Sequence, residues 1–136
     1  MPEMTESLKS EFQQSKRRIA IVEEVSDNIY SVKFVLQSLG YEVLSVSSGK
    51  ESPELIARFA PHLVVVDMMI PERGGYAAIF DVREHVSANL PILAITAAAM
   101  EGNNKTVIQA GSTKTLSKPY SATELRRHID DCIGSV

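Results

Sequence analysis

Leu63-Val64-Val65-Val66-Asp67-Met68-Met69-Ile70-Pro71 is the stretch that decides the architecture. Its first four residues form a short apolar run rich in β-branched side chains. Such a run reads as a strand buried on both faces, the situation of an inner strand in a parallel sheet. Asp67 closes the run. A carboxylate at the tip of an inner strand is held rigidly and aimed out of the sheet. Open α/β sheets bind their ligands at that edge.

Outward from Asp67, strand-like and helix-like segments alternate. Strands are expected over 18–23, 41–46, 63–67, 91–96 and 114–117. Asp27 or Asn28 can cap a helix whose apolar residues are Ile29, Val32, Val35, Leu36 and Leu39. Gly40 suits the position just past its end. Ser52 reads as an N-cap with Pro53 in the first turn. Leu55, Ile56 and Phe59 give that helix its apolar face, and Pro61 prevents it continuing. Tyr76, Ile79, Phe80 and Val82 or Arg83 recur at helical spacing across 76–86. A shorter helix over 103–110 stops at Gly111. Ser121-Ala122-Thr123-Glu124 is a capping box. It opens a last helix striped by Leu125, Ile129, Cys132 and Ile133.

Strand and helix alternate five times with short connections. This predicts an α/β fold, a single parallel sheet covered by helices on both faces. Right-handed crossovers leave few topologies. A polar N-terminal extension is expected over 1–17, with at most a weak helix through Leu8 and Phe12, and one domain over 18–136. The 136 residues suffice for one real core, and 44% hydrophobic with 23% charged residues is ordinary for a soluble protein. A net charge of −3 gives no basis for nonspecific binding to nucleic acid or acidic membranes. Cys132 is the only cysteine, so no intrachain disulfide can form. With no apolar leader over 1–16, the expected location is cytoplasmic. No run approaches the roughly 20 apolar residues of a membrane span.

The strand ends carry the chemistry. Glu23 and Glu24 end the first strand, Asp67 the third and Thr96 the fourth, and Lys118 follows the fifth. In the strand order 2-1-3-4-5 the first and third strands are neighbours across the switch point. The three acids then converge in one crevice, with Thr96 and Lys118 as its opposite wall. Three carboxylates so close require a cation, and all-oxygen ligation suits Mg²⁺. Asp67 is the candidate nucleophile for a phosphoryl group. The metal and Lys118 would neutralise the phosphoryl oxygens. Taken singly, each of these residues is more often a turn former or a solvated surface group. Four strand ends that each supply the right type outweigh the bland readings.

On these residues the chain resembles the receiver domain of bacterial two-component response regulators, from about Arg18 to Ile133. Ile21-Val22-Glu23-Glu24 resembles the family's acidic pair. Val65-Val66-Asp67-Met68-Met69-Ile70-Pro71 resembles its phosphoacceptor segment, with Gly75 as the glycine after it. Leu93-Ala94-Ile95-Thr96-Ala97 resembles the hydroxyl-bearing strand, and Leu116-Ser117-Lys118-Pro119 the lysine–proline motif. The resemblance implies a flavodoxin-like fold, a three-layer sandwich. It implies phosphorylation of Asp67 by a histidine kinase or histidine phosphotransfer protein. Mg²⁺ would be held by Glu24, Asp67 and the Met69 carbonyl, with Glu23 acting through metal-bound water. It also implies a cis Lys118–Pro119 peptide and a downstream protein target. The responding surface would include Lys105, Lys114, Arg126 and Arg127. Neither direct nucleic-acid binding nor membrane attachment is expected.

The chain departs from the family pattern in places. Glu24 stands where relatives most often have aspartate, which is shorter by about 1.5 Å, and Mg²⁺ tolerates little distortion around 2.0–2.1 Å. Thr115 occupies the position of a switching tyrosine or phenylalanine, with Tyr120 nearby in sequence. Pro53 is expected to delay the second helix, and Gly74 replaces a common acid. Glu24 and Thr115 keep a second reading open, a pseudo-receiver acting as a phosphorylation-independent interaction module. A flavin carrier is disfavoured because Glu23-Glu24-Val25-Ser26-Asp27 would repel a phosphate where such carriers have a Ser/Thr/Gly loop. An aspartate phosphatase is disfavoured because Met69 stands where a second Asp is needed. His62, His85 and His128 lack ligand spacing.

Overall fold

The computed structural model describes residues 16–23, 31–69, 74–97 and 104–134. Five parallel strands form one sheet: β1 (Arg18–Val22), β2 (Glu42–Val46), β3 (Leu63–Asp67), β4 (Ile92–Thr96) and β5 (Lys114–Ser117), in the order β2-β1-β3-β4-β5. Between and after them lie α1 (Val32–Ser38), α2 (Ser52–Phe59), α3 (Gly74–His85), α4 (Asn104–Gln109) and α5 (Ala122–Ile133). This is the single parallel sheet with helices on both faces that the alternating pattern predicts, in the flavodoxin-like strand order that the family resemblance implies.

Alternation along the strands divides the core in two. Ala20, Val22, Val64, Val66, Ile92 and Ala94 pack with Ile56 of α2, Ala78, Ile79 and Val82 of α3, and Val107 of α4. On the other face, Ile19, Ile21, Leu63, Val65, Leu93, Ile95 and Leu116 pack with Val32 and Leu36 of α1 and Leu125 and Ile129 of α5. β3 is therefore covered on both sides, and Leu63 to Val66 have no solvent exposure. A pairing in register carries β3 up to Asp67, which lies opposite Ile95.

Helix termini follow local chemistry. Gly40 takes φ +94° and closes α1, with Tyr41 N–H donating to the Leu36 carbonyl. Ser121 Oγ accepts the Glu124 N–H at 3.1 Å, the N-cap half of the expected capping box of α5, and its hydroxyl lies 3.3 Å from Glu124 Oε1. At the amino edge of the sheet Arg18 N–H donates to His62 Nδ1 at 3.0 Å, and its guanidinium reaches the Phe59 and Ala60 carbonyls that end α2. The Arg83 guanidinium likewise donates to the carbonyls of Ser87, Leu90 and Gly111, tying α3 to the chain entering β4 and β5.

Several helical details differ from the sequence expectation. Ser31 is extended and α1 begins at Val32, later than a cap at Asp27 or Asn28 implies. Those two residues, Ile29 and the proposed N-terminal helix lie outside the described residues. Glu51, not Ser52, occupies the N-cap of α2. Ser52 is instead inside the first turn, its hydroxyl donating to the Gly49 carbonyl at 2.9 Å. Leu55 is exposed, so α2 buries Ile56 and half-buries Phe59. The larger correction concerns α3. Tyr76 and Phe80 face outward, and the buried face is Gly75, Ala78, Ile79 and Val82. Gly75 explains the rotation. A Cβ there would lie 2.4 Å from Met68 Sδ and 2.8 Å from Met68 Cα, so the helix approaches closely where only hydrogen fits. That contact turns Ile79 and Val82 inward and both rings to solvent.

Candidate functional site

The carboxyl edge of the sheet gathers side chains from four strand ends. Asp67 is partly buried at the tip of β3. Its Oδ1 accepts the Met69 N–H at 2.9 Å, a bond that the tight turn after the strand makes available. Its Oδ2 lies 3.6 Å from Lys118 Nζ. Lys118 is brought there by backbone pairing that outlasts β5, since its N–H donates to the Thr96 carbonyl at 2.8 Å. The Lys118–Pro119 peptide is cis, as the family resemblance implies.

Glu23 supplies the second acid. β1 and β3 are neighbours, so the end of β1 opens beside Asp67. Glu23 continues the ladder to β2 through its N–H, which donates to the Val46 carbonyl at 3.0 Å. Only 5% of this residue is exposed. Burial first, and then the neighbouring charge of Asp67, push its carboxyl above the ordinary value. The Ser45 hydroxyl, the backbone N–H of Lys33 in the first turn of α1, and Lys118 act in the opposite direction. A helix N-terminus favours an anion, yet here it does not cancel the cost of burying the carboxylate and, after that, of placing it beside a second acid.

Thr96 is fully buried at the end of β4, and its hydroxyl lies 3.4 Å from that of Ser117, the residue opposite it on β5. Thr115 lies opposite Ala94, on the face covered by α2, α3 and α4. Tyr120 packs against the other face, with α1 and α5. It therefore does not stand in for an aromatic side chain at Thr115. Burial raises the Tyr120 phenol above its ordinary value, and the charges of Asp67 and then Glu23 raise it further.

The edge thus brings together Glu23, Asp67, Met69, Thr96 and Lys118. Glu24 lies outside the described residues. Among the described residues no group of three His, Cys, Asp or Glu could hold a metal. Still, an acid pair in which one member is buried and pushed toward its proton suits a hard cation with oxygen ligands. Of the expected basic surface, Lys105, Arg126 and Arg127 are exposed, whereas Lys114 is paired with Asp131. Ser45 and Ser117 were not anticipated as site residues. Their only sequence signal is position: Ser117 directly precedes Lys118, and Ser45 falls one residue before the end of β2.

The sequence profile of the response regulator receiver domain matches residues 19–130. The chain belongs to that family. Its receiver domain is 28% identical to the probable transcriptional regulator ycf27 of Porphyridium aerugineum over 89% of this chain, which spans 50% of that protein. It is 27% identical to the polar-differentiation response regulator DivK of Brucella ovis, over 87% of this chain and 97% of DivK. A solved receiver domain, that of the sensor histidine kinase PA1611 from Pseudomonas aeruginosa PAO1, superposes with a TM-score of 0.74 at 32% identity. The match covers 88% of this chain and 99% of that one, whose active-site cleft coordinates a magnesium ion. No helix among the described residues is long and apolar enough to cross a membrane.

Proposed function

We propose that this receiver domain accepts a phosphoryl group on Asp67 from the phosphohistidine of a histidine kinase or histidine phosphotransfer protein, and signals through protein contacts. The observation that carries the reading is the pairing at the sheet edge: Asp67 Oδ2 faces Lys118 Nζ at 3.6 Å while its Oδ1 is held by the Met69 N–H. A fixed carboxylate with one oxygen turned toward a cation is poised for in-line attack on phosphorus. An Oδ–P bond forms as the P–N bond to the donor histidine breaks, and the electron pair leaves with the imidazole. Lys118 offsets the charge on the transferring oxygens, and Thr96 offers them a hydroxyl donor. Glu23, Glu24, Asp67 and the Met69 carbonyl are the residues that would hold Mg²⁺. When bound, that ion supplies electrostatic neutralisation of the acidic cluster and the phosphoryl oxygens. The domain division proposed with this reading is an extension over 1–17 and the receiver over 18–136, acting in the cytoplasm.

The test is incubation with Mg²⁺ and a small phosphodonor such as acetyl phosphate, followed by intact mass measurement. The chain should gain one phosphoryl group, Asp67→Asn should gain none, and chelation of Mg²⁺ should suppress the gain. A second reading, a phosphorylation-independent interaction module, is favoured by Thr115 at the position where relatives carry an aromatic side chain. A wild-type chain that stays unmodified at millimolar donor would select it.

A further inference from the structure

We infer that Ser117 is a positioning residue that holds the Thr96 hydroxyl away from Asp67 in the resting state and opposes its capture by a phosphoryl group. The inference rests on the phosphoacceptor reading of Asp67 and adds a residue to it.

Three observations carry it. Thr96 has no solvent exposure, so its hydroxyl must find a partner within the protein. Among the described residues the partner is Ser117, whose Oγ lies 3.4 Å from Thr96 Oγ1. Register makes this pairing obligatory: Thr96 and Ser117 are direct partners across β4 and β5. Asp67 ends β3, on the other flank of β4 and one residue short of Thr96 in register. Across the edge the order is therefore Asp67, Thr96, Ser117, with Thr96 between two possible partners.

Thr96 chooses between them by χ1, which for a β-branched side chain occupies discrete staggered wells. In the observed well the hydroxyl meets Ser117. A turn to another well takes it off Ser117 and leaves it free for the side on which Asp67 lies. An unmodified Asp67 gives little reason for that turn, since Met69 N–H and Lys118 already engage its two oxygens. A phosphoryl group on Asp67 adds charged acceptor oxygens, and charge-assisted bonds are about twice as strong as neutral ones. The Thr96 hydroxyl then leaves Ser117 for the phosphoryl group, and the Ser117 bond is the interaction given up. At 3.4 Å it is a long bond between neutral hydroxyls, with a bias of about twofold to fivefold in the equilibrium.

Two measurements test this. In the unmodified protein, three-bond NMR couplings read Thr96 χ1. Wild type and Ser117→Thr should show one dominant rotamer, and Ser117→Ala an averaged one. An unchanged single rotamer in Ser117→Ala overturns the inference. The second measurement uses Mg²⁺ with subsaturating acetyl phosphate and intact mass. Ser117→Ala should raise the ratio of phosphorylated to unphosphorylated chain about twofold to fivefold, and Ser117→Thr should match wild type. In a Thr96→Val background the same Ser117→Ala change should have no effect. An equal rise in both backgrounds, or no rise in either, contradicts the role, because a merely structural effect would not depend on the Thr96 hydroxyl. If no variant takes up phosphoryl, the phosphoacceptor reading fails and the opposing role falls with it. The rotamer measurement then still decides whether Ser117 positions Thr96.

Discussion

Glu23 shows how the site is built on unfavourable terms. A carboxylate with 5% exposure, beside Asp67, is pushed above its ordinary value. The native state thus binds this proton more tightly than the unfolded chain does. By linkage, the apo protein gains stability from Glu23 as pH falls through the raised value toward the unfolded value near 4.5, and bears the full penalty above the raised value. Glu23→Gln removes the charge while keeping an oxygen for the Ser45 hydroxyl and the Lys33 N–H. In the absence of Mg²⁺ at neutral pH the variant should be more stable than wild type by about 1 kcal/mol, as read by urea denaturation. The difference should vanish below pH 4.5. Added Mg²⁺ should stabilise wild type and reverse the order, because binding to the native state alone adds stability. A variant less stable than wild type without Mg²⁺ would show that Glu23 is charged at no cost.

At the scale of elements, two contacts separate what holds the site from what holds the fold. Gly75 lets α3 approach Met68, the residue after Asp67. Gly75→Ala would place a Cβ 2.8 Å from the Met68 Cα, a backbone atom that cannot swing aside. The helix-propensity gain of alanine is about 1 kcal/mol at most, and overpacking costs about 1–3 kcal/mol. The variant should lose stability in denaturant melts and also accept phosphoryl more slowly, since Met68 moves with Asp67. Arg83 acts at the opposite edge, donating to the Ser87, Leu90 and Gly111 carbonyls. Arg83→Met should cost about 2–3 kcal/mol of stability and leave the phosphorylation rate of the folded fraction unchanged. A slower rate in Arg83→Met would mean that strain travels along β4 and β5 to the site.

At the scale of the whole molecule, one sheet does two jobs. Its faces bury two separate apolar clusters, and its carboxyl edge collects the polar groups that those clusters exclude. The sheet was legible in the sequence because buried strands leave continuous apolar runs, and Ile19 to Val22, Leu63 to Val66 and Ile92 to Ile95 carry them plainly. The convergence of Glu23, Asp67, Thr96 and Lys118 was legible for the same reason, since strand ends of known order fix which residues meet. The α3 face was not. Tyr76, Ile79, Phe80 and Val82 satisfy a helical period, but period alone does not choose a rotation. Gly75 against Met68 chooses it, and that contact exists only in three dimensions. Ser45 and Ser117 were hidden likewise, because a serine has no pattern and gains meaning only from its cross-strand neighbour. The account rests finally on Asp67 as the phosphoryl acceptor, and borohydride trapping tests it most directly. After treatment with Mg²⁺ and acetyl phosphate, reduction converts an aspartyl phosphate to homoserine, which peptide sequencing by mass spectrometry locates. Homoserine at position 67 and at no other acid is the predicted result. Its absence there, or a reduced side chain at Glu23 instead, would contradict the account.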